Sequence, residues 1–157
     1  MNALAELYLQ RAETELVAAQ LLFETSYNER LQKEEFKLEK NFTFYSSAIS
    51  HAYYCIFYSA KAILMTEDIK TDAPEVHKKT IDAFDDFFVK TGRLDVHLLT
   101  IYKKMFLRAE ELLSIYSLEK RKRGEYTYQK LPQANVEPAK ESIDNASLFF
   151  KNHEIPA

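Results

Sequence analysis

The sequence has few of the residues that interrupt helices. Of its 157 residues only two are glycine and four are proline, whereas 46% are apolar. Such a shortage of turn residues is typical of a bundle of long helices. A chain of this length can bury about 68–70% of the surface that it exposes when unfolded. We therefore predict an all-α protein, an up-and-down bundle of four to five helices, in a single domain over residues 1–157 with its core within about 3–152.

Cysteine, long apolar runs and excess positive charge are also scarce. The lone Cys55 excludes a disulfide or a cysteine-based zinc site within one chain, and its apolar neighbours indicate a buried, inert thiol. No apolar run approaches the roughly 20 residues of a membrane span, and the first run carries acids, unlike a secretory signal. We expect a cytoplasmic protein with no membrane partner. The net charge of −3 means that any polyanion site must be local.

Apolar residues recur at alternating intervals of four and three, which places them on one helix face. This pattern predicts helix one over about 3–25 and helix four from a cap at Asp95 to about Arg121. Residues 42–66 are apolar or small on nearly every side, so helix two should be central. Residues 26–41 form a charged, solvated and partly helical connection. The buried stripe of helix four comprises Leu98, Tyr102, Met105, Ala109, Leu112 and Tyr116.

Helices three and five are predicted from their end signals. Pro74 opens helix three, with Asp72 as a candidate cap, and Gly92 ends it. Asn135 caps helix five. The expected buried stripe of helix five comprises Val136, Ala139, Ile143, Ala146 and Phe150.

The four histidines give no metal or nucleophile signature. No pair has the i, i+4 spacing of a helical zinc site, and no Ser/His/Asp set or glycine-rich phosphate loop is visible. We therefore predict no metal and no cofactor. His51 should be packed or hydrogen-bonded within helix two. His77 and His97, near helix starts, should lie at the surface.

The segment EKRKRGEYTY, residues 119–128, is the strongest candidate site. It has four consecutive cations, then a glycine, an acid and two tyrosines. One interpretation is a solvated helix end, because cations there interact favourably with the helix dipole by about 0.3–1 kcal/mol each. The other is a nucleotide or RNA site, because arginine binds phosphate bidentately and tyrosine offers a ring for a base.

Three segments, in order, resemble HEPN domains (higher eukaryotes and prokaryotes nucleotide-binding). AISHAYYCIFYSAKAIL (48–64) resembles the A-x-S-R-A-Y-Y-A-x-F signature, with His51 where arginine is common; FFVKTGRL (87–94) and LEKRKRGEY (118–126) resemble later blocks. The resemblance covers about residues 3–152. It implies a homodimer that brings two Arg-x(4–6)-His motifs into one cleft, where active members cleave RNA without metal.

This chain departs from that motif at one position. After Arg121 and four intervening residues comes Tyr126, where the motif has histidine. Histidine titrates near 6.5 and tyrosine near 10, so a tyrosine is a poor general base at neutral pH. The resemblance assigns Arg121 and Tyr126 to the catalytic positions. The candidate nucleotide- or RNA-binding residues are Lys122, Arg123, Glu125 and Tyr128.

The sequence thus favours a HEPN-like, homodimeric nucleotide- or RNA-binding protein, the HEPN half of a toxin–antitoxin or nucleotidyltransferase-paired system. One alternative is an active metal-independent endoribonuclease. Another is a helical protein-interaction module without a nucleic-acid role, in which the basic segment is only a solvated helix end.

In one HEPN subgroup the motif continues to a final tyrosine, on which a partner nucleotidyltransferase places AMP; that frame falls here on Tyr128. Lys122 and Arg123 could neutralise the arriving phosphate. The alternative is that Tyr128 only packs its loop onto the bundle. We predict that co-expression with a nucleotidyltransferase encoded beside the gene adds one AMP to the intact mass. An unmodified chain, or an adduct that persists in Tyr128→Phe, would contradict this assignment.

Overall fold

The computed structural model describes residues 2–115 and 135–154, which contain five α-helices, two π-helical turns and no strand. The helices are α1 (Ala3–Tyr27), α2 (Tyr45–Met65), α3 (Val76–Phe84), α4 (Val96–Ile115) and α5 (Val136–Lys151). The π-helical turns are Leu31–Glu35 and Asp85–Val89, the second continuing α3. The predicted all-α bundle is confirmed. No helix within the described residues has both the length and the apolar character needed to cross a bilayer.

Helix α2 is the centre of the bundle, as predicted. Fourteen of its 21 residues are buried, and it contacts α1, α3, α4 and α5. Ala48, Ala52 and Ala60 expose no surface, so neighbouring helices approach closely at these positions. Helix α1 meets it with a buried line of three alanines and one leucine. That line comprises Ala5, Ala12, Leu16 and Ala19.

Two predicted helix ends, at Gly92 and Asp95, are confirmed in atomic detail. The Asp95 carboxylate accepts a hydrogen bond from the backbone N–H of His97 at 2.8 Å, as a cap of α4 should. Gly92 has φ of 77°, the left-handed conformation that glycine adopts readily after a helix. Asn2 also caps α1, because its Oδ1 accepts from the N–H of Ala5 at 2.8 Å. Its Nδ2 donates to the carbonyl of Met65, which joins the start of α1 to the end of α2.

The predicted start of helix three is wrong. Helix α3 begins at Val76, and its N-cap residue is Glu75, with φ of 55° and no capping side chain. Asp72 therefore does not cap this helix, and Pro74 precedes it instead of occupying its first turn. The left-handed residue turns the chain sharply just before the helix, a bend that apolar spacing does not reveal.

The buried stripe of helix five is also shifted from the prediction. Ala139 and Ala146 are buried as expected, but Val136 is 42% exposed, and Ser142 and Phe149 are fully buried. Ile143 and Phe150 are only partly buried. Packing inside the bundle decides which face of this helix is buried, because the interior offers the Ser142 hydroxyl a partner and the Phe149 ring enough space.

The connection after α1 is mostly exposed and partly helical, as predicted, but it contains one buried polar side chain that composition does not reveal. Gln32 is 1% exposed. Its Nε2 donates to the carbonyls of Thr25 at 2.5 Å and Phe42 at 2.9 Å, and its Oε1 accepts from the N–H of Phe42 at 2.8 Å. One buried amide therefore satisfies backbone groups on both sides of the connection and folds it back against α1.

Tyr102 lies at the centre of an aromatic core. Its ring centroid is 5.8 Å from that of Phe84 and 5.6 Å from that of Phe149, both in edge-on arrangements. All three side chains are fully buried. The Tyr102 hydroxyl has no hydrogen-bond partner within the described residues. A buried hydroxyl without a partner loses its hydration without compensation.

We predict that Tyr102→Phe leaves the free energy of unfolding unchanged or raises it by about 1 kcal/mol, because it removes that uncompensated group. Phe149→Ala should lower it by about 3–5 kcal/mol by opening a cavity in the same cluster. Urea denaturation followed by circular dichroism measures both. A clear loss of stability in Tyr102→Phe would show that the hydroxyl is bonded in the folded protein.

Candidate functional site

The basic segment predicted from the sequence lies outside the described residues. This applies to every predicted site residue, namely Arg121, Lys122, Arg123, Glu125, Tyr126 and Tyr128, and also to Tyr116 of the predicted stripe. The described part of the chain that leads to the segment is α4, which extends to Ile115.

One side of α4 is fixed to α5 by charged contacts. Arg108 is only 10% exposed in its side chain and donates to Ser142 Oγ at 2.8 Å and to the carbonyl of Pro138 at 3.2 Å. The Glu141 carboxylate accepts from Lys104 and lies 3.6 Å from Arg108. The hydrogen bond from Lys104, followed by the nearby Arg108 charge, lowers the pKa of Glu141. The middle of α4 is thus tied to α5.

Another side of α4 borders a cavity of about 540 Å³ between α2, α3 and α4. Volumes of 300–1,000 Å³ are typical of small-molecule sites. Its interior is largely apolar, with aromatic side chains from all three elements, and charged residues stand at its mouth. The lining residues are Ser50, Tyr53, Tyr54, Glu75, His77, Lys78, Phe106, Ala109 and Glu110.

A hydrogen-bonded pair joins two walls of this cavity. The Tyr53 hydroxyl on α2 lies 2.7 Å from Nδ1 of His77 on α3. The imidazole packs on Phe57, with ring centroids 4.4 Å apart. Burial raises the pKa of Tyr53, and the fields of Tyr54 and Glu110 add to that shift. The hydroxyl therefore stays protonated at neutral pH.

The placement of His77 corrects the sequence prediction. His77 is half-buried among aromatic rings instead of lying at the surface, whereas His97 is exposed as predicted. Burial, with a smaller contribution from Lys61, lowers the pKa of His77, so the imidazole is neutral at pH 7. The sequence contained one indication that His77 is partly buried. It lies four residues before the buried Ile81, on the same helix face.

His51 forms a separate contact on the α1–α2 surface. Its Nδ1 lies 2.5 Å from the Glu15 carboxylate, with the two side chains 39% and 23% exposed. The prediction that His51 is hydrogen-bonded is confirmed. It is not among the residues that line the cavity.

Two other sequence predictions concern reactive and metal-binding groups. Cys55 is fully buried, and its burial raises the pKa of the thiol to about 12. The thiolate that would react or bind metal is therefore scarce at neutral pH, and the predicted burial of the thiol is confirmed. Within residues 2–115 and 135–154, no group of three or more His, Cys, Asp or Glu side chains is arranged to hold a metal ion.

Comparisons with known proteins link the chain to proteins with toxin names. No model of a known protein family matches it. Two proteins of Methanocaldococcus jannaschii that carry the name "Putative toxin" are similar to it. One is 36% identical over 86 residues, 49% of this chain and 56% of that protein; the other is 28% identical over 141 residues, 90% and 79%. A UPF0332 protein of Thermotoga maritima is 30% identical over 104 residues, 66% of each chain. The chain thus spans little more than half of the first relative.

We predict that NMR titration places the pKa of His77 below its ordinary value of 6.5. The unfolded chain then binds this proton more readily than the folded chain. As the pH falls through 6.5, the free energy of unfolding should decrease until the folded pKa is passed. His77→Phe should remove this part of the stability profile. A folded pKa at or above 6.5, or an unchanged profile in the variant, would contradict the burial argument.

Proposed function

We propose that this protein is a HEPN-like, homodimeric protein that binds a nucleotide or RNA through the basic segment following α4, and that it serves as the toxin component of a two-protein system. The observation that carries the proposal is the run Lys120, Arg121, Lys122 and Arg123, followed closely by Tyr126 and Tyr128. A helix end needs one or two cations to satisfy its dipole. Four cations with adjoining aromatic residues match a phosphate-and-base ligand better.

Two further observations support the family part of the proposal. The segment that resembles the HEPN signature, residues 48–64, falls within the central helix α2, as expected for the element around which a fold is built. The second M. jannaschii relative aligns with 90% of this chain, and both M. jannaschii relatives carry toxin names. The toxin role proposed here rests on those names. Pairing with a nucleotidyltransferase rests on the sequence resemblance.

The homodimer is proposed from the resemblance and from the many tyrosines of α2. In it, the ends of α4 from two chains would face each other and form one composite cleft. Light scattering of the full chain at micromolar concentration tests this arrangement, and a monomer would exclude the cleft.

We expect the full chain to bind single-stranded RNA in a salt-sensitive way, because phosphate neutralisation releases counterions. Fluorescence anisotropy at two salt concentrations measures this. Arg121→Ala should weaken binding about five- to tenfold, since it removes a bidentate phosphate contact. Lys140→Ala, which removes an exposed cation of α5, is the matched control and should bind as the wild type does.

The same preparations test for cleavage. In EDTA the wild type should leave RNA intact, because Tyr126 cannot act as both base and acid at neutral pH. Tyr126→His should introduce measurable cleavage. If the wild type cuts RNA in EDTA and Arg121→Ala does not, the protein is a metal-independent ribonuclease. If the wild type does not bind RNA or nucleotide at any salt concentration, the interaction-module alternative is favoured.

A further inference from the structure

The cavity between α2, α3 and α4 differs chemically from the basic segment. We propose that this cavity binds a small organic cation, with an aromatic or other flat apolar body inside and a protonated amine at the mouth. The volume of about 540 Å³ suits a ligand of one or two fused rings. The inference is independent of the proposed RNA-binding function, because it uses none of the residues that follow α4.

The walls provide a surface for the apolar body. Tyr53, Tyr54, His77 and Phe106 form one continuous group of rings. Tyr53 lies 6.0 Å from Phe106 and 5.5 Å from Tyr54 between centroids, and His77 lies 6.4 Å from Phe106. Aromatic faces attract cations within about 6 Å and also stack on a flat ring. Ala109 lines the α4 side of the cavity, and its small side chain fills little of the space.

The charges at the mouth select the sign of the ligand. Glu75 on the α3 side and Glu110 on the α4 side are exposed lining residues, and neither forms an ion pair with another described residue. Lys78 is the one cation within the described lining. His77 adds no charge at pH 7, because burial lowers its pKa. The part of the lining that the structure describes therefore carries one net negative charge.

Glu110 lines the same cavity as Tyr53. Its negative charge raises the pKa of Tyr53, though less than burial and Tyr54 do. A protonated amine beside Glu110 would be attracted by this same charge, whereas a phosphate or carboxylate would be repelled. A nucleotide is therefore a poor ligand for this cavity.

Isothermal titration calorimetry of the full chain at pH 7.5 (about one pH unit above the ordinary histidine pKa) tests the proposal with three ligands of one shape. These are 1-naphthylmethylammonium, neutral 1-naphthylmethanol and anionic 1-naphthylacetate. The cation should bind about five- to tenfold more tightly than the neutral alcohol, and the anion most weakly. Equal or tighter binding of the anion would overturn the proposal.

Two variants with opposite effects locate the site. Glu110→Gln should weaken binding of the naphthyl cation about fivefold, and Lys78→Met should strengthen it about twofold. Glu13→Gln on the exposed face of α1 is the charge-matched control and should change nothing. The imidazole NMR signals of His77 should shift on binding. An unchanged affinity in Glu110→Gln, or unmoved His77 signals, would place the cation elsewhere, whatever the result of the RNA experiments.

Discussion

The burial of most of α2 is the constraint on which the rest of the structure depends. A helix surrounded by four others must have small residues where backbones approach and must supply a partner for each buried polar group. The alanines at 48, 52 and 60 meet the first condition. Ser59 meets the second by donating to the carbonyl of Cys55 at 2.7 Å. Two larger polar side chains of α2, His51 and Tyr53, find hydrogen-bond partners on α1 and α3.

Tyr53 shows how one such partner shapes the candidate ligand cavity. Its hydroxyl lies inside the bundle and is bonded to His77, which fixes the first turn of α3 beside α2. Helix α4 approaches the same pair with Phe106, whereas Ala109 one turn later fills little volume. The space left between the three helices is the cavity. The cavity thus depends on the hydrogen bond of the Tyr53 hydroxyl and on the small side chain of Ala109. It lies beside the helix that leads to the basic segment.

Helix α4 has different chemistry on its different sides. Towards α5 it presents the cations Lys104 and Arg108, both in contact with Glu141. Towards the cavity it presents Glu110, whose charge is not matched by another described residue. Four cations then follow in the sequence after α4. The proposed anionic ligand would therefore bind the basic segment after α4, and the proposed cationic ligand would bind the cavity beside α4. The two ligand classes do not compete for the same residues.

The sequence by itself determined the fold class, the central position of α2, the buried stripe of α4 through Leu112 and the cap at Asp95, because these features follow from local spacing and from hydrogen bonds between near neighbours. It also determined the basic segment as a candidate site, and that prediction still awaits its test. Only the tertiary structure decided the start of α3 at Val76, the register of α5 and the burial of Gln32. The cavity, too, was decided only by the tertiary structure, because its lining residues are up to 60 positions apart along the chain, between Ser50 and Glu110. Local periodicity specifies which face of a helix is apolar, but only the packing of several helices specifies the space that remains between them.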